Sequence, residues 1–153
     1  MIRFADNDRD EKLIHSILLN DSLGREKLNI RGYDKLIEND RWCVTFIDEE
    51  KGELKGFIKL SANTLDGCFC INDLFVSEKH RRKGIGKKLL LYAEKYGFET
   101  WPAKYVYAFT IQNKVMEGLL KKHEYKDHGT YKKFIYRNGK YLSQTLFLKR
   151  KKI

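Results

Sequence analysis

The sequence predicts an α/β fold in which helices pack against one mixed β-sheet. An amphipathic helix is predicted at Gly84–Phe98, between the predicted strands Cys68–Val76 and Tyr105–Thr110. Strands connected through such a helix pair in parallel by a right-handed crossover. Nearer the carboxyl end, Asn138-Gly139 separates two β-rich runs and predicts a hairpin of antiparallel strands. The sheet is therefore expected to contain both kinds of pairing.

The amino-terminal part of the chain predicts one strand and two helices. Apolar residues recur at helical spacing up to about Asn20, and either Asp8 or Asp10 is a candidate cap for that helix. The polar stretch Ser22–Gly32 predicts a loop. The other elements expected here are a strand at Ile2–Ala5 and a short helix at Tyr33–Asn39.

The remainder of the chain predicts strands from alternating or β-rich runs and helices from apolar stripes. Strands are expected at Trp42–Ile47, Leu54–Leu60, Cys68–Val76, Tyr105–Thr110, Tyr131–Tyr136 and Tyr141–Leu148, and helices at Gly84–Phe98 and Lys114–His123. The predicted element order is β-αα-βββ-α-β-α-ββ. The helix Gly84–Phe98 lies between the strands Cys68–Val76 and Tyr105–Thr110, so those two strands can be parallel neighbours in the sheet.

The composition is typical of one globular domain that spans residues 1–153. An apolar fraction of 42% is enough to form a core and argues against disorder. The formal net charge of +10 favours anionic ligands such as phosphorylated cofactors or nucleic acid. There is no signal peptide and no apolar run near the roughly 20 residues that a membrane span needs. We therefore expect a cytoplasmic protein that does not contact membranes.

The three cysteines predict neither a disulfide framework nor a metal site. Their number is odd, and Cys68 and Cys70 lie too close along one strand to bridge well. A metal site would need a second pair of ligands at suitable spacing, which the sequence does not offer. We expect all three to be reduced, packed thiols and expect no metal.

The segment Ile71–Leu90 predicts an anion-binding site. A strand ends at Val76, a basic loop follows, and Gly84 and Gly86 open a helix. The first turn of a helix has amide groups without intrahelical acceptors, and the helix dipole adds about half a positive charge there. Glycine lets a ligand approach these amides closely. Cations where a helix would favour acidic residues indicate that a phosphate group supplies the negative charge.

The motif Arg81-x-x-Gly84-x-Gly86 resembles the acetyl-CoA motif of GNAT acetyltransferases. It follows the strand Asp73–Val76, as in that family, and the element order is similar along nearly the whole chain. The resemblance implies a single GNAT domain whose central parallel strands splay apart around acetyl-CoA. The cofactor-binding residues that it implies are Leu74, Phe75, Val76, Arg81, Arg82, Lys83, Gly84, Ile85, Gly86, Lys87 and Asn113.

The catalytic groups are less clearly indicated than the cofactor site. An alkylammonium must lose a proton before it attacks a thioester, so the site needs a base or a bound water. On the motif strand, Asn72 and Asp73 are the polar candidates, and Asp73 is the predicted base. The resemblance places the Tyr general acid of many relatives at Leu120 here, and the tyrosines nearby in sequence are Tyr125, the predicted candidate, and Tyr131. The resemblance implies that the Val76 N–H binds the oxyanion.

The expected function is transfer of an acetyl group from acetyl-CoA to a primary amine by direct attack. The acceptor stays open between a small molecule, a peptide or protein, and an aminoacylated RNA. Two alternatives also stay open, a GNAT-fold sensor that binds CoA without turnover and a basic nucleic-acid-binding domain. No recognisable motif supports nucleic-acid binding, and a homodimer is neither indicated nor excluded.

Overall fold

The computed structural model describes residues 1–31 and 36–153. Within these residues the chain forms seven strands, four α-helices and one short 3₁₀ helix. The strands are β1 (Ile2–Phe4), β2 (Cys43–Glu50), β3 (Glu53–Asn63), β4 (Cys68–Val76), β5 (Tyr105–Ile111), β6 (Lys126–Arg137) and β7 (Lys140–Arg150). The helices are α1 (Asp10–Leu19), α2 (Ser22–Arg31), the 3₁₀ helix Glu78–His80, α3 (Ile85–Thr100) and α4 (Lys114–Lys122).

The strands form one mixed sheet in the order β1-β2-β3-β4-β5-β7-β6. Only β4 and β5 pair in parallel, and α3 connects them, which confirms the predicted crossover. Every other neighbouring pair is antiparallel. The predicted α/β class and the element order are both confirmed.

The core lies in two layers on opposite faces of the sheet. Helices α3 and α4 cover one face, where residues such as Phe46, Phe69 and Val106 are fully buried against Leu89 and Leu120. Helices α1 and α2 cover the other face, and this second cluster contains no residue of β5, β6 or β7. The face of β5 and β7 that points away from α3 is consequently not packed against either helix.

The loop predicted at Ser22–Gly32 is wrong, because Ser22–Arg31 forms α2. The carboxylate of Asp21 accepts hydrogen bonds from the amides of Leu23 and Gly24 at 2.9 and 3.2 Å, and so satisfies the start of the helix. Gly24 was a loop signal in the sequence, but it permits close helix packing. A Cβ atom at Gly24 would lie 2.3 Å from the carbonyl oxygen of Leu18 in α1.

Other predicted boundaries near the amino terminus also change. The helix predicted at Tyr33–Asn39 lies partly outside the described residues, and the described part, residues 36–39, is not helical. Neither Asp8 nor Asp10 caps α1. The carboxylate of Asp6 accepts the amides of Asp8 and Arg9 instead, both at 3.0 Å.

The last hairpin is longer than predicted, because β6 begins at Lys126. Its two strands shift register twice, between Asp127 and Thr130 and between Tyr131 and Ile135. Extra residues on an edge strand twist it and interrupt its pairing capacity.

None of the helices in the described part of the chain is long and apolar enough to cross a membrane.

Candidate active site

The two central strands part at a β-bulge in β4. Parallel pairing between β4 and β5 ends at Ile71 opposite Ala108, although β4 continues to Val76 and β5 to Ile111. On the other side of β4, Leu60 pairs with Ile71 and Lys59 with Asp73, which leaves Asn72 as an extra residue. A bulge bends the strand that carries it. The bulge at Asn72 therefore accounts for the gap that opens directly after Ile71.

Main-chain groups of β4 point into this gap. The Ser77 amide donates to the Lys55 carbonyl of β3 at 2.8 Å, and Phe75 pairs with Phe57 of the same strand. Because alternate residues of a strand direct their amide and carbonyl groups to opposite neighbours, Leu74 and Val76 direct theirs toward β5. Strand β5 no longer pairs there, so the amide and carbonyl of Leu74 and the amide of Val76 have no strand partner on that side, whereas the Val76 carbonyl accepts a hydrogen bond from Arg81. The main chain of Phe75 faces β3, and its ring belongs to the α1–α2 cluster.

The loop after β4 presents the start of α3 to the same end of the gap. Gly84 is the residue before the helix and has φ of 80° and ψ of 9°, a left-handed conformation that favours glycine. The first intrahelical bond joins the Lys88 amide to the Gly84 carbonyl at 3.0 Å. The amides of Ile85, Gly86 and Lys87 precede that bond, so the helix offers them no acceptor.

The same loop concentrates positive charge. The first turn of α3 contains no acidic residue, and Arg82, Lys83 and Lys87 are exposed. None of these three makes an ion pair with any residue in the ranges 1–31 and 36–153. Open amides at a helix start combined with unpaired cations form a site for a phosphate group.

Arg81 holds the loop in place rather than extending into solvent. Its Nε donates to the Val76 carbonyl at 2.9 Å, and its guanidinium lies 2.7 Å from the Asp21 carboxylate. The guanidinium also lies over the Phe75 ring, 5.3 Å from the centroid. Arg81 thus joins the motif loop to β4 and to the start of α2.

Gly86 and Asn113 lie beside the gap in different roles. A Cβ atom at Gly86 would contact Leu119 and Val76 at 3.6 and 3.7 Å, which are ordinary packing distances. Asn113 precedes α4, and its Oδ1 accepts the Met116 amide at 3.1 Å. The side chain of Asn113 therefore caps α4 and keeps its NH₂ group for another partner.

The opposite wall of the gap is built from side chains on the α1–α2 face of the sheet. Asp73 is nearly buried and pairs directly across from Lys59 of β3. The ammonium of Lys59, also buried, lies 2.9 Å from the Glu38 carboxylate. Its hydrogen bond lowers the pKa of Glu38. This wall therefore carries carboxylates from Asp73 and Glu38 and the ammonium of Lys59.

Two further pairs of polar side chains border that wall. The bulge residue Asn72 and Ser61 of β3 hydrogen bond to each other through their side chains, with Asn72 Nδ2 2.9 Å from Ser61 Oγ. Just before the bulge, Cys70 pairs with Tyr107 of β5. Burial raises the pKa of each of these groups to about 12, so both the thiol and the phenol are protonated at neutral pH.

Tyr125 lies away from the gap. Its ring is buried under the Lys149 ammonium, 5.6 Å from the centroid, and burial followed by the charge of Glu94 raises its pKa. Lys149 pairs with Val106 near the start of β5, whereas the gap opens beyond Ala108. The catalytic role of Tyr125 stays a prediction that this location does not favour.

The sequence did not single out Lys59 and Glu38. The signal for Lys59 was one cation in the apolar run Gly56–Leu60, because a lysine buried in a strand needs a carboxylate partner. No comparable signal marked Glu38, which lies in a connection before β2. Among the described residues, no group of three or more His, Cys, Asp or Glu side chains is placed to hold a metal.

A mixed sheet whose central parallel strands part after a bulge is the fold of an acyl-CoA-dependent N-acyltransferase. The model of the acetyltransferase (GNAT) family matches residues 12–125, which is more than half of the chain. The chain therefore belongs to the GNAT acetyltransferase family, and its members are acyltransferases that use acetyl-CoA. A comparison with curated proteins gives no match.

Solved acetyltransferase structures share the fold. One from Salmonella typhimurium, which modifies the N-terminal serine of ribosomal protein L7/L12, has a TM-score of 0.77 at 13% identity and covers 99% of this chain and 94% of its own. NAA60 of Arabidopsis thaliana, solved with a bisubstrate analogue, has a TM-score of 0.72 at 20% identity, with 98% of both chains covered. RimL, a ribosomal L7/L12 α-N-protein acetyltransferase solved with coenzyme A, has a TM-score of 0.76 at 13% identity and coverage of 97% and 92%. At these identities the likeness establishes the fold alone.

Proposed function

We propose that this protein transfers an acetyl group from acetyl-CoA to a primary amine in the gap between β4 and β5. One observation carries the proposal: the bulge at Asn72 parts the strands and directs the main chain of Leu74 and Val76 into a gap. The basic start of α3 lies at the same end of the sheet. An acyl-CoA needs a polar wall for its amide-bearing arm and an anion site for its phosphates, and both are present.

The main chain would hold most of the cofactor. The main chain of Leu74 would pair with the pantetheine arm as an added strand does, and the Val76 amide would face the thioester end of that arm. The amides of Ile85, Gly86 and Lys87 would bind the pyrophosphate, with Arg82 and Lys83 adding positive charge. In this arrangement Arg81 would hold the loop in position without contacting the cofactor itself. Asn113 would contact the cofactor through its NH₂ group.

Acetyl-CoA supplies a thioester whose carbonyl accepts the amine and whose thiol leaves. Asp73 is proposed to take the proton from the incoming ammonium, directly or through water. The Val76 amide, directed into the gap, would donate to the developing oxyanion. The raised pKa of Cys70, about 12, keeps its thiol protonated and supports direct attack over an acyl-cysteine route.

The acceptor wall favours a cationic amine. Glu38 and Asp73 contribute carboxylates to this wall, and a carboxylate can attract an alkylammonium and accept hydrogen bonds from it. A small-molecule amine, a protein N-terminus and an aminoacylated RNA all meet this requirement. The proposed location is the cytoplasm, which the three free thiols support.

The test measures binding and turnover separately. Calorimetry with CoA is expected to show binding, and a thiol-detecting dye is expected to show acetyl-CoA cleavage with at least one member of an amine panel. The panel would contain diamines, amino acid amides, short peptides with free N-termini and an aminoacylated RNA. CoA binding without thiol release from any amine would instead support the sensor alternative, which the buried Leu120 at the usual general-acid position favours. Absence of CoA binding would contradict both.

A further inference from the structure

The carboxyl-terminal hairpin carries an extension that the proposed acetyl transfer does not use. Strand β7 pairs with β5 only from Gln144 onward, where Gln144 meets Ile111 at the end of β5. Residues 140–142 pair only with β6, and the Ser143 amide donates to Gln112 Oε1 at 2.9 Å. We call residues 131–143 the arm. It extends beyond the last residue of β5, at the end where the gap between β4 and β5 opens.

The arm exposes four aromatic rings. Tyr131, Phe134, Tyr136 and Tyr141 have exposed fractions of 53%, 66%, 64% and 66%. The rings form two contacting pairs, Tyr131 with Phe134 at 5.6 Å and Tyr136 with Tyr141 at 5.0 Å between centroids. Large exposed rings gathered on one segment mark a binding surface, because isolated proteins seldom expose such patches.

The arm is also strongly basic. It contains Lys132, Lys133, Arg137 and Lys140 and no acidic residue, and Asp127 is the last acidic residue of the chain. None of these four cations forms an ion pair with a residue that the structure describes. The cations near the end of β7 differ, because Lys149 pairs with Glu94 and Lys152 with Glu124, both at 2.8 Å. The arm thus carries four cations that no carboxylate of the described residues neutralises.

Tyr131 and two of the cations share one face of the arm, whereas the pair Tyr136–Tyr141 lies on the other face. Tyr131 and Ile111 both pair with Gln144, and opposed residues of a sheet share a face, so Tyr131 lies on the face of Ile111. Lys140 lies four residues from Gln144 on β7, and residues an even number apart share a face. Arg137 is its partner on β6, so both cations lie on that face too. This is the face opposite α3, and it also carries Asp73 and Lys59.

A bulge displays the remaining cations. Three residues of β6 lie between Tyr131 and Ile135, whereas only one residue of β7 lies between their partners Gln144 and Leu142. Lys133 has φ of 50° within this bulge, and its amide donates to Ser143 Oγ at 3.3 Å. The bulge is therefore fixed to the opposite strand, and it presents Lys132, Lys133 and Phe134 as a compact group.

We infer that the arm binds single-stranded RNA, with bases stacked on Tyr131 and Phe134 and phosphates bound by the four cations. The contacting rings of Tyr131 and Phe134, with cations beside them, match a ligand that has flat bases and a regular negative charge. An acidic peptide would use the cations but not the rings. A symmetric contact between two arms would bring like charges together. Because the arm shares its face with the acceptor wall, bound RNA lies on the acceptor side of the sheet.

The test uses the full chain without acetyl-CoA, so that its outcome is independent of acetyl transfer. Fluorescence anisotropy would follow a fluorescein-labelled single-stranded RNA of roughly 12 nucleotides, long enough to span the arm. Contact with about four phosphates predicts that the logarithm of affinity falls with a slope near −3 against the logarithm of salt concentration. The double variant Lys132→Gln/Lys133→Gln should make that slope shallower by roughly one.

Two matched comparisons distinguish RNA binding by the arm from RNA binding caused by the overall positive charge. Lys12→Gln/Lys95→Gln removes the same charge from exposed sites on α1 and α3 and should leave the slope unchanged. Phe134→Leu keeps an apolar side chain but removes the ring, and it should weaken binding by about 5- to 100-fold, whereas Tyr131→Phe should retain affinity. Unchanged melting temperature and CoA affinity would show that the variants fold.

Several results would overturn the inference. These are no salt-dependent RNA binding at low ionic strength, equal losses in the arm and control charge variants, and no effect of Phe134→Leu. Equal competition by a glutamate oligopeptide of the same charge would assign the arm to acidic peptides. Arm-dependent dimerisation without RNA binding would assign it to a second copy of this chain.

Discussion

The two sides of the gap between β4 and β5 are built from different materials. On the proposed cofactor side, main-chain groups of Leu74, Val76 and the first turn of α3 would face the ligand, and side chains mainly fix their position. On the acceptor side, the polar groups are the side chains of Asp73, Lys59 and Glu38. One wall of the gap therefore depends on the backbone conformation, and the other depends on which side chains are present.

This difference decides what each wall can specify. Amides recognise phosphate and amide groups whatever side chains accompany them, provided that the backbone adopts the required conformation. A wall of ionised side chains discriminates between acceptors by charge and shape, and one substitution changes its preference. The cofactor side is therefore suited to one constant ligand and the acceptor side to a ligand that differs between enzymes.

The largest expected effect is on the acceptor side. Replacing Asp73 with Asn should lower kcat by about 100- to 1,000-fold, because the ammonium of the acceptor loses its proton acceptor. CoA affinity, measured by calorimetry, should stay the same, since the cofactor wall does not use this side chain. The control Asp8→Asn removes the same charge from an exposed site and should leave kcat unchanged.

The pH profile distinguishes a base from a structural carboxylate. Without Asp73, only amine that is already deprotonated in solution can react, so the rate of Asp73→Asn should rise nearly tenfold per pH unit below the acceptor pKa, near 10. The unmodified protein should show a flatter profile. A raised KM with an unchanged kcat would show instead that Asp73 binds the acceptor.

The second effect is on the cofactor side and compares two variants of nearly equal shape. Asp and Asn both tolerate the left-handed conformation that Gly84 adopts, with φ of 80°, and both can begin a helix. Gly84→Asp places a negative charge beside the proposed pyrophosphate site. It should bind CoA about 30-fold more weakly than Gly84→Asn, which corresponds to roughly 2 kcal/mol of repulsion.

Salt makes that comparison sharper. The difference in CoA affinity between Gly84→Asp and Gly84→Asn should shrink at a salt concentration of about 0.5 M. Exposed charges are then screened within a few ångströms. Equal affinities of the two variants at low salt would mean that no phosphate binds near Gly84.

The fold was largely predictable because its signals are local. Each strand pair follows from periodicity and connection type, and the crossover through α3 gave the parallel pair. Helix α2 was missed because Gly24 and the polar residues around it indicate a loop when taken alone. Close packing on Leu18 overrides that propensity, and it depends on how α1 and α2 meet in space.

The two walls also differ in how well the sequence predicts them. A site made by a turn and a helix start is contiguous in sequence, so Gly84, Gly86 and the surrounding cations marked it. The pairing of Glu38 with Lys59 joins residues 21 positions apart, and no local pattern brings them together. The bulge at Asn72, which opens the gap, depends on register with β3 and gave no sequence signal.

The smallest expected effect tests whether any side chain belongs to the cofactor wall. Asn113 caps α4 through its Oδ1, so Asn113→Ala should lower the free energy of unfolding by about 1 kcal/mol, measured by urea denaturation. Asn113→Ser keeps a capping oxygen and should cost only about a few tenths of a kcal/mol. If the NH₂ group also contacts the cofactor, both variants should bind CoA about fivefold more weakly, the value of roughly one hydrogen bond. If both bind CoA normally while only the Ala variant loses stability, Asn113 serves the helix alone, and the cofactor wall consists of main chain and the cations beside it.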